Sequence, residues 1–140
     1  MQLALWMRDL ARNALSITDV YGIGGNMMRE GWIYRRGDIY LANLGKPSGS
    51  QQGGVRPVVV LQNDVGNFYA PTITIVPLTS KFEKKIKQPT HYPLRSTKGL
   101  LRPSMVLGEQ VGTYDKSCIL RYLGKVSRGQ MRGIDAVVKV

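Results

Sequence analysis

The segment of the chain richest in reactive chemistry is Gly49-Ser50-Gln51-Gln52-Gly53-Gly54-Val55-Arg56-Pro57, which feeds straight into the apolar run Val58-Val59-Val60-Leu61. Glycines let a backbone approach a ligand with no Cβ in the way. Pro57 pushes Arg56 into an extended backbone conformation. The segment therefore presents a cation at the start of a strand, beside a glycine-rich loop. Arginine carries a planar fork of N–H donors that matches a phosphate. Phosphate chemistry is what such a segment suits; a surface arginine beside a turn is the alternative that local residues leave open.

Other chemical patterns are missing. There is no G-x-S-x-G elbow and no H-E-x-x-H pair. The cluster Gly22-Ile23-Gly24-Gly25 lacks both a final glycine and a preceding strand, so a nucleotide-binding fold is not expected. Asp38, Asp64, Glu83, Glu109, Asp115 and Asp135 are scattered, with no close carboxylate pair to cage a divalent ion. One cysteine (Cys118) and one histidine (His91) cannot form a Cys/His zinc site, and a lone cysteine cannot form an internal disulfide. His91 follows Pro89-Thr90 in a polar stretch and reads as a solvated or structural histidine. No metal and no cofactor are expected.

Charge points to the partner. The 140 residues hold 20 Lys+Arg against 9 Asp+Glu, for a net charge of +11. Such a balance favours an acidic partner, nucleic acid first, with an anionic membrane surface or an acidic protein behind it. No run approaches the roughly 20 apolar residues of a membrane span.

Residues 1–32 are charge-neutral, so the whole surplus lies in residues 33–140. Leu3, Trp6, Leu10, Ala14 and Ile17 recur at helical spacing, and Tyr21–Asn26 then reads as a glycine-rich linker. Gly24-Gly25-Asn26-Met27 can be encoded by GGA-GGN-AAY-ATG, a purine-rich ribosome-binding sequence before a start codon. The N-terminal extension, residues 1–32, is thus either a genuine helical appendage or the result of a misplaced start, with translation beginning at Met27 or Met28 and residues 1–26 an artefact.

From Ile33 the pattern is strand and turn. Strands are expected over Asp38–Leu44, Val58–Leu61, Thr72–Thr79, Ser104–Val111 and Cys118–Val126, with loops at Gly45–Gly54 and Asn63–Asn67. Ser80–Gln88 carries Lys81, Lys84, Lys85 and Lys87 and reads as a basic loop. Ser127 and Gln130 have capping-box spacing, and Met131, Ile134, Val137 and Val138 form the apolar stripe of a terminal helix. Five or six short antiparallel strands with one C-terminal helix make a small, mainly β, barrel-like α+β domain spanning residues 33–140.

Several blocks together resemble the MazF/PemK family, the toxin halves of bacterial toxin–antitoxin pairs. They are Arg35-Arg36-Gly37-Asp38-Ile39-Tyr40-Leu41-Ala42-Asn43-Leu44, Gln52 through Asn67, Pro71-Thr72 leading to Leu78-Thr79, Pro89-Thr90-His91, and Leu107-Gly108-Glu109-Gln110-Val111. The resemblance implies an SH3-like barrel, a homodimer, and a metal-independent, sequence-specific endoribonuclease acting on single-stranded RNA in the bacterial cytoplasm. It implies an acidic antitoxin as partner and makes Arg56 and Thr79 the catalytic residues. Candidate RNA-contacting side chains are Gln51 and Gln52, the loop lysines Lys81, Lys84 and Lys85, and Gln110. Gln51 stands where the family usually has glutamate, and Val55 where some relatives have histidine, so a carboxylate or imidazole base is lacking at both positions. The alternatives are a non-catalytic toxin of the CcdB type, which poisons DNA gyrase, and an RNA binder that has lost cleavage.

Overall fold

The computed structural model describes residues 28, 31–47, 52–80 and 88–139. The N-terminal extension up to Met27 thus lies outside the described residues. Among those described, β1 (Asp38–Asn43), β2 (Val55–Val60) and β3 (Thr72–Thr79) are successive antiparallel neighbours, with the short helix α1 (Asp64–Tyr69) between β2 and β3. Then come β4 (His91–Leu94), β5 (Ser104–Leu107), β6 (Gly112–Asp115), β7 (Ile119–Lys125) and the terminal helix α2 (Arg128–Val138). The sheet order is β4-β5-β3-β2-β1-β7, and β6 pairs with β3. All of these pairings are antiparallel. No helix among the described residues is long and apolar enough to cross a membrane.

The continuous apolar run of β2 has a simple cause. Val59 enters one core cluster with Ile39, Val76, Leu78, Leu94, Val106 and Ile134, while Val58 and Val60 enter a second with Tyr40, Ala42, Ile73, Ile75 and Ile119. Both faces of the central strands are covered, so alternation disappears where the sheet is covered on both sides. Each such side chain contributes about 1.5–3 kcal/mol through burial.

The main difference from the sequence expectation lies at residues 104–115. One strand was expected over Ser104–Val111, but two ladders form, Leu78↔Val106 and Ile75↔Gly112. Three steps along β3 separate Leu78 from Ile75, and six separate Val106 from Gly112. The surplus loops out as a 3-10 turn at Gly108–Gln110. Gly108 permits it, because a Cβ there would lie 2.6 Å from the Thr90 carbonyl oxygen and 2.9 Å from that of Val137. The expected Asn63–Asn67 turn likewise tightens into α1, capped by Asn63, whose side chain accepts from the Gly66 N–H. His91–Leu94 is a strand that polar composition concealed.

Helix α2 starts where its capping box places it. Ser127 Oγ accepts from the Gln130 N–H at 3.1 Å, and Gln130 Oε1 accepts from the Ser127 N–H at 2.9 Å. Gly133, poor for helix propensity, is needed here, since a Cβ would fall 2.0 Å from the Tyr92 ring. The β4–β5 connection then lies against β7, where a Cβ on Gly99 would meet the Leu123 carbonyl oxygen at 2.2 Å. That close approach gives the curled sheet its barrel-like character.

Candidate active site

Arg56 and Thr79 come together through register. In the β2–β3 ladder Val58 faces Pro77 and Val60 faces Ile75. Continuing two residues past Val58 sets Arg56 opposite Thr79. The ladder stops short of them because Pro57 and Pro77 have no N–H to give. Arg56 also faces Ala42 of β1, a small residue that leaves room beside a long side chain. Both candidates thus lie at one end of the central sheet.

Arg56 is not a surface arginine. It is 4% exposed. Its Nε donates to the Gly53 carbonyl at 3.0 Å and its Nη1 to the Leu78 carbonyl at 3.2 Å. These contacts use two of the five guanidinium N–H donors. Among the described residues no carboxylate pairs with it. Burial lowers its pKa to about 10, so it remains a cation at neutral pH. Thr79 and Ser80 are buried beside it at the end of β3.

The loop that holds Arg56 is clamped from two sides. Gly54 donates its N–H to the Gly45 carbonyl at 2.6 Å and accepts from the Leu44 N–H at 2.9 Å. Gly53 lies so close to Pro47 that a Cβ would fall 2.4 Å from the proline nitrogen. From the other side, Gln110 Oε1 accepts from the Gln52 N–H at 2.6 Å. Gln52 and Gln110, both candidate RNA contacts, are therefore brought together, across 58 residues of sequence. Gln51, Lys81, Lys84 and Lys85 lie outside the described residues.

One pairing beside this arrangement escaped the sequence reading. His91 is buried, and its Nε2 lies 2.8 Å from Glu109 Oε1. Of the solvated and structural readings of His91, the structural one describes its position. Glu109 immediately precedes Gln110 in the 3-10 turn. The Pro89-Thr90-His91 and Leu107–Val111 blocks were the available signals, but nothing local joined them. Among the described residues, no group of three or more His, Cys, Asp and Glu converges as a metal site would require. Cys118 is half-buried, and burial pushes its thiol up to about 11, which suppresses the reactive thiolate.

The arrangement can do one thing well. A buried guanidinium with spare donors and no counter-ion among the described residues, at the strand end that also carries Thr79, suits an anion whose charge grows during reaction.

Known proteins resemble this chain over most of its length. Residues 35–140 match the family model described as PemK-like, MazF-like toxin of type II toxin-antitoxin system. The chain is 40% identical over 109 residues to the protein named Endoribonuclease MazF of Staphylococcus saprophyticus, covering 77% of this chain and 90% of that one. Among solved structures, MazF from Deinococcus radiodurans superposes with a TM-score of 0.67 at 20% identity, covering 76% of this chain and 94% of that one. An endoribonuclease in complex with its cognate antitoxin, from a mycobacterial species, gives 0.63 at 23% identity, covering 75% and 90%.

Proposed function

We propose a division of labour for the cutting site of this chain, which belongs to the PemK-like, MazF-like toxins of type II toxin–antitoxin systems. Its activity is that of an endoribonuclease. The observation that carries the site assignment is Arg56, buried and held by two carbonyls, with no carboxylate among the described residues to neutralise it.

In single-stranded RNA the 2′-oxygen attacks the adjacent phosphorus. The P–O bond to the 5′-oxygen of the next nucleotide breaks, leaving a 2′,3′-cyclic phosphate and a 5′-OH. One proton leaves the 2′-OH and one reaches the departing oxygen. The protein aligns the attack and stabilises the charge that builds on the phosphorane. Arg56 supplies that stabilisation, and Thr79 donates a hydrogen bond to a phosphate oxygen. With a pKa near 10, Arg56 serves as a charge and not as a base. Gln52 and Gln110 line the approach to the scissile phosphate, and the lysines of residues 81–87 add general attraction to the strand.

The active form is a homodimer acting in the bacterial cytoplasm. A disordered acidic segment of the antitoxin occupies the basic RNA groove and so blocks cleavage. Incubating the protein with a long RNA in EDTA tests the reading. Discrete fragments with 5′-OH ends, absent when the 2′-OH at the cut is removed, are expected. RNA that stays intact but shifts in a gel would instead mark a binder.

A further inference from the structure

The geometry points to a positioning role for the His91–Glu109 pair: it fixes the 3-10 turn so that Gln110 can hold the Gln52 N–H and thereby keep Arg56 aimed at the phosphate. This rests on the assignment of Arg56 made above. Two links of the path run through the chain itself, from Glu109 to Gln110 and from Gln52 to Gly53. The others are the hydrogen bonds His91 to Glu109 at 2.8 Å, Gln52 to Gln110 at 2.6 Å, and Arg56 to Gly53 at 3.0 Å.

The turn needs such an anchor. It consists of three residues looped out between two ladders, with no side-chain cap at its start. A 3-10 turn this short has poor internal hydrogen bonding and depends on its surroundings. Residues 90 and 91 supply them. The Gly108 N–H donates to the Thr90 carbonyl at 2.8 Å, the Thr90 hydroxyl bonds the Glu109 carboxylate, and His91 meets that carboxylate from within the core. The His91 side chain is 1% exposed, whereas that of Glu109 is 39% exposed. The fixed partner is thus the histidine, and the carboxylate is the arm drawn to it. A displacement of even about 1 Å at a catalytic group lowers rates by up to about a hundredfold.

The test uses His91→Ala, His91→Gln and Glu109→Ala in the full chain. Glutamine keeps an N–H donor near the Nε2 position without a ring. In His91→Ala and Glu109→Ala, kcat is expected to fall roughly tenfold to a hundredfold, with affinity for a 2′-deoxy substrate analogue little changed. His91→Gln is expected to recover most of the rate. Amide hydrogen exchange, which needs no catalysis, reads the same path: protection of the Gln52 N–H falls in both alanine variants, while that of Val59 in β2 holds. Should His91→Ala fail to fold, the half-exposed Glu109 variant carries the measurement. Unchanged Gln52 protection in Glu109→Ala would overturn the inference. So would a wild-type kcat in that variant, provided the parent chain cuts RNA. A parent that does not cut would remove the assignment of Arg56 instead.

Discussion

Two arginines near opposite ends of β2 make opposite use of the same side chain. Arg36 is half-exposed, and its Nη2 meets both oxygens of Asp135 on α2, at 2.5 and 2.6 Å. Its Nη1 donates to the Leu61 carbonyl at 2.6 Å, and its backbone N–H donates to Asp64 Oδ1 of α1 at 2.9 Å. Its charge is answered, and it staples both helices to the sheet. Arg56 is more deeply buried, yet among the described residues its guanidinium meets only carbonyls. A buried cation left without a counter-ion is unfavourable for folding. What that charge offers is an unanswered field aimed at an anion. On the reading proposed above, one arginine serves the fold and the other the reaction.

The largest expected effect separates the two directly. Arg56→Ala should slow single-turnover RNA cleavage by about a hundredfold to a thousandfold, whereas Arg36→Ala should cleave at the parent rate when assayed well below its melting temperature. Equal losses in both variants would erase the contrast. Thr79→Ala sharpens it: a neutral donor to a charged oxygen is worth about 1.5–3 kcal/mol, so the same assay should show a loss of roughly tenfold to a hundredfold, mostly restored in Thr79→Ser.

The local half of this arrangement was legible in sequence, and for a physical reason. Gly53, Gly54, Arg56 and Pro57 act on one another through backbone conformation, which neighbours in the chain dictate. Thr79 closes an alternating strand, and the capping box of Ser127 and Gln130 is local too. What stayed hidden is what folding brings from afar. Arg36 and Asp135 are 99 residues apart, Gln52 and Gln110 58 apart, and His91 and Glu109 18 apart. The 3-10 turn hid for another reason, because Ser104–Leu107 and Val111 look like one apolar strand until the two ladders on β3 fix how many residues must loop out.

Smaller effects test the structural side. The Arg36–Asp135 pair is about a third exposed, so a double-mutant cycle should give a coupling of about 0.2–1 kcal/mol. Arg36→Ala should lower Tm by several degrees, since about 1 kcal/mol shifts a domain of this size by roughly 2–8 °C.

The smallest effect concerns Glu109. Burial pushes its carboxyl up, but hydrogen bonds from His91, its own backbone and Thr90 more than reverse this and hold it below the ordinary 4.5. The folded state then binds that proton less readily than the unfolded one. The pair therefore contributes stability above pH 4.5 that is lost as pH falls through the lowered value. The Tm gap between the parent and Glu109→Gln should be widest near neutrality and close in that acid range. A gap independent of pH would show that the carboxylate charge does not matter to the turn.

The proposed source of the charge that cutting requires is the guanidinium of Arg56, which has no counter-ion among the described residues. Chemical rescue tests it most directly. Arg56→Ala, shown to be folded by its Tm, is assayed for single-turnover cleavage with guanidinium or methylguanidinium chloride at concentrations well below those that unfold it. Sodium chloride at equal ionic strength is the control. The rate is expected to rise with guanidinium concentration in Arg56→Ala and not in the parent. A folded Arg56→Ala that cuts at the parent rate without any added cation would contradict it.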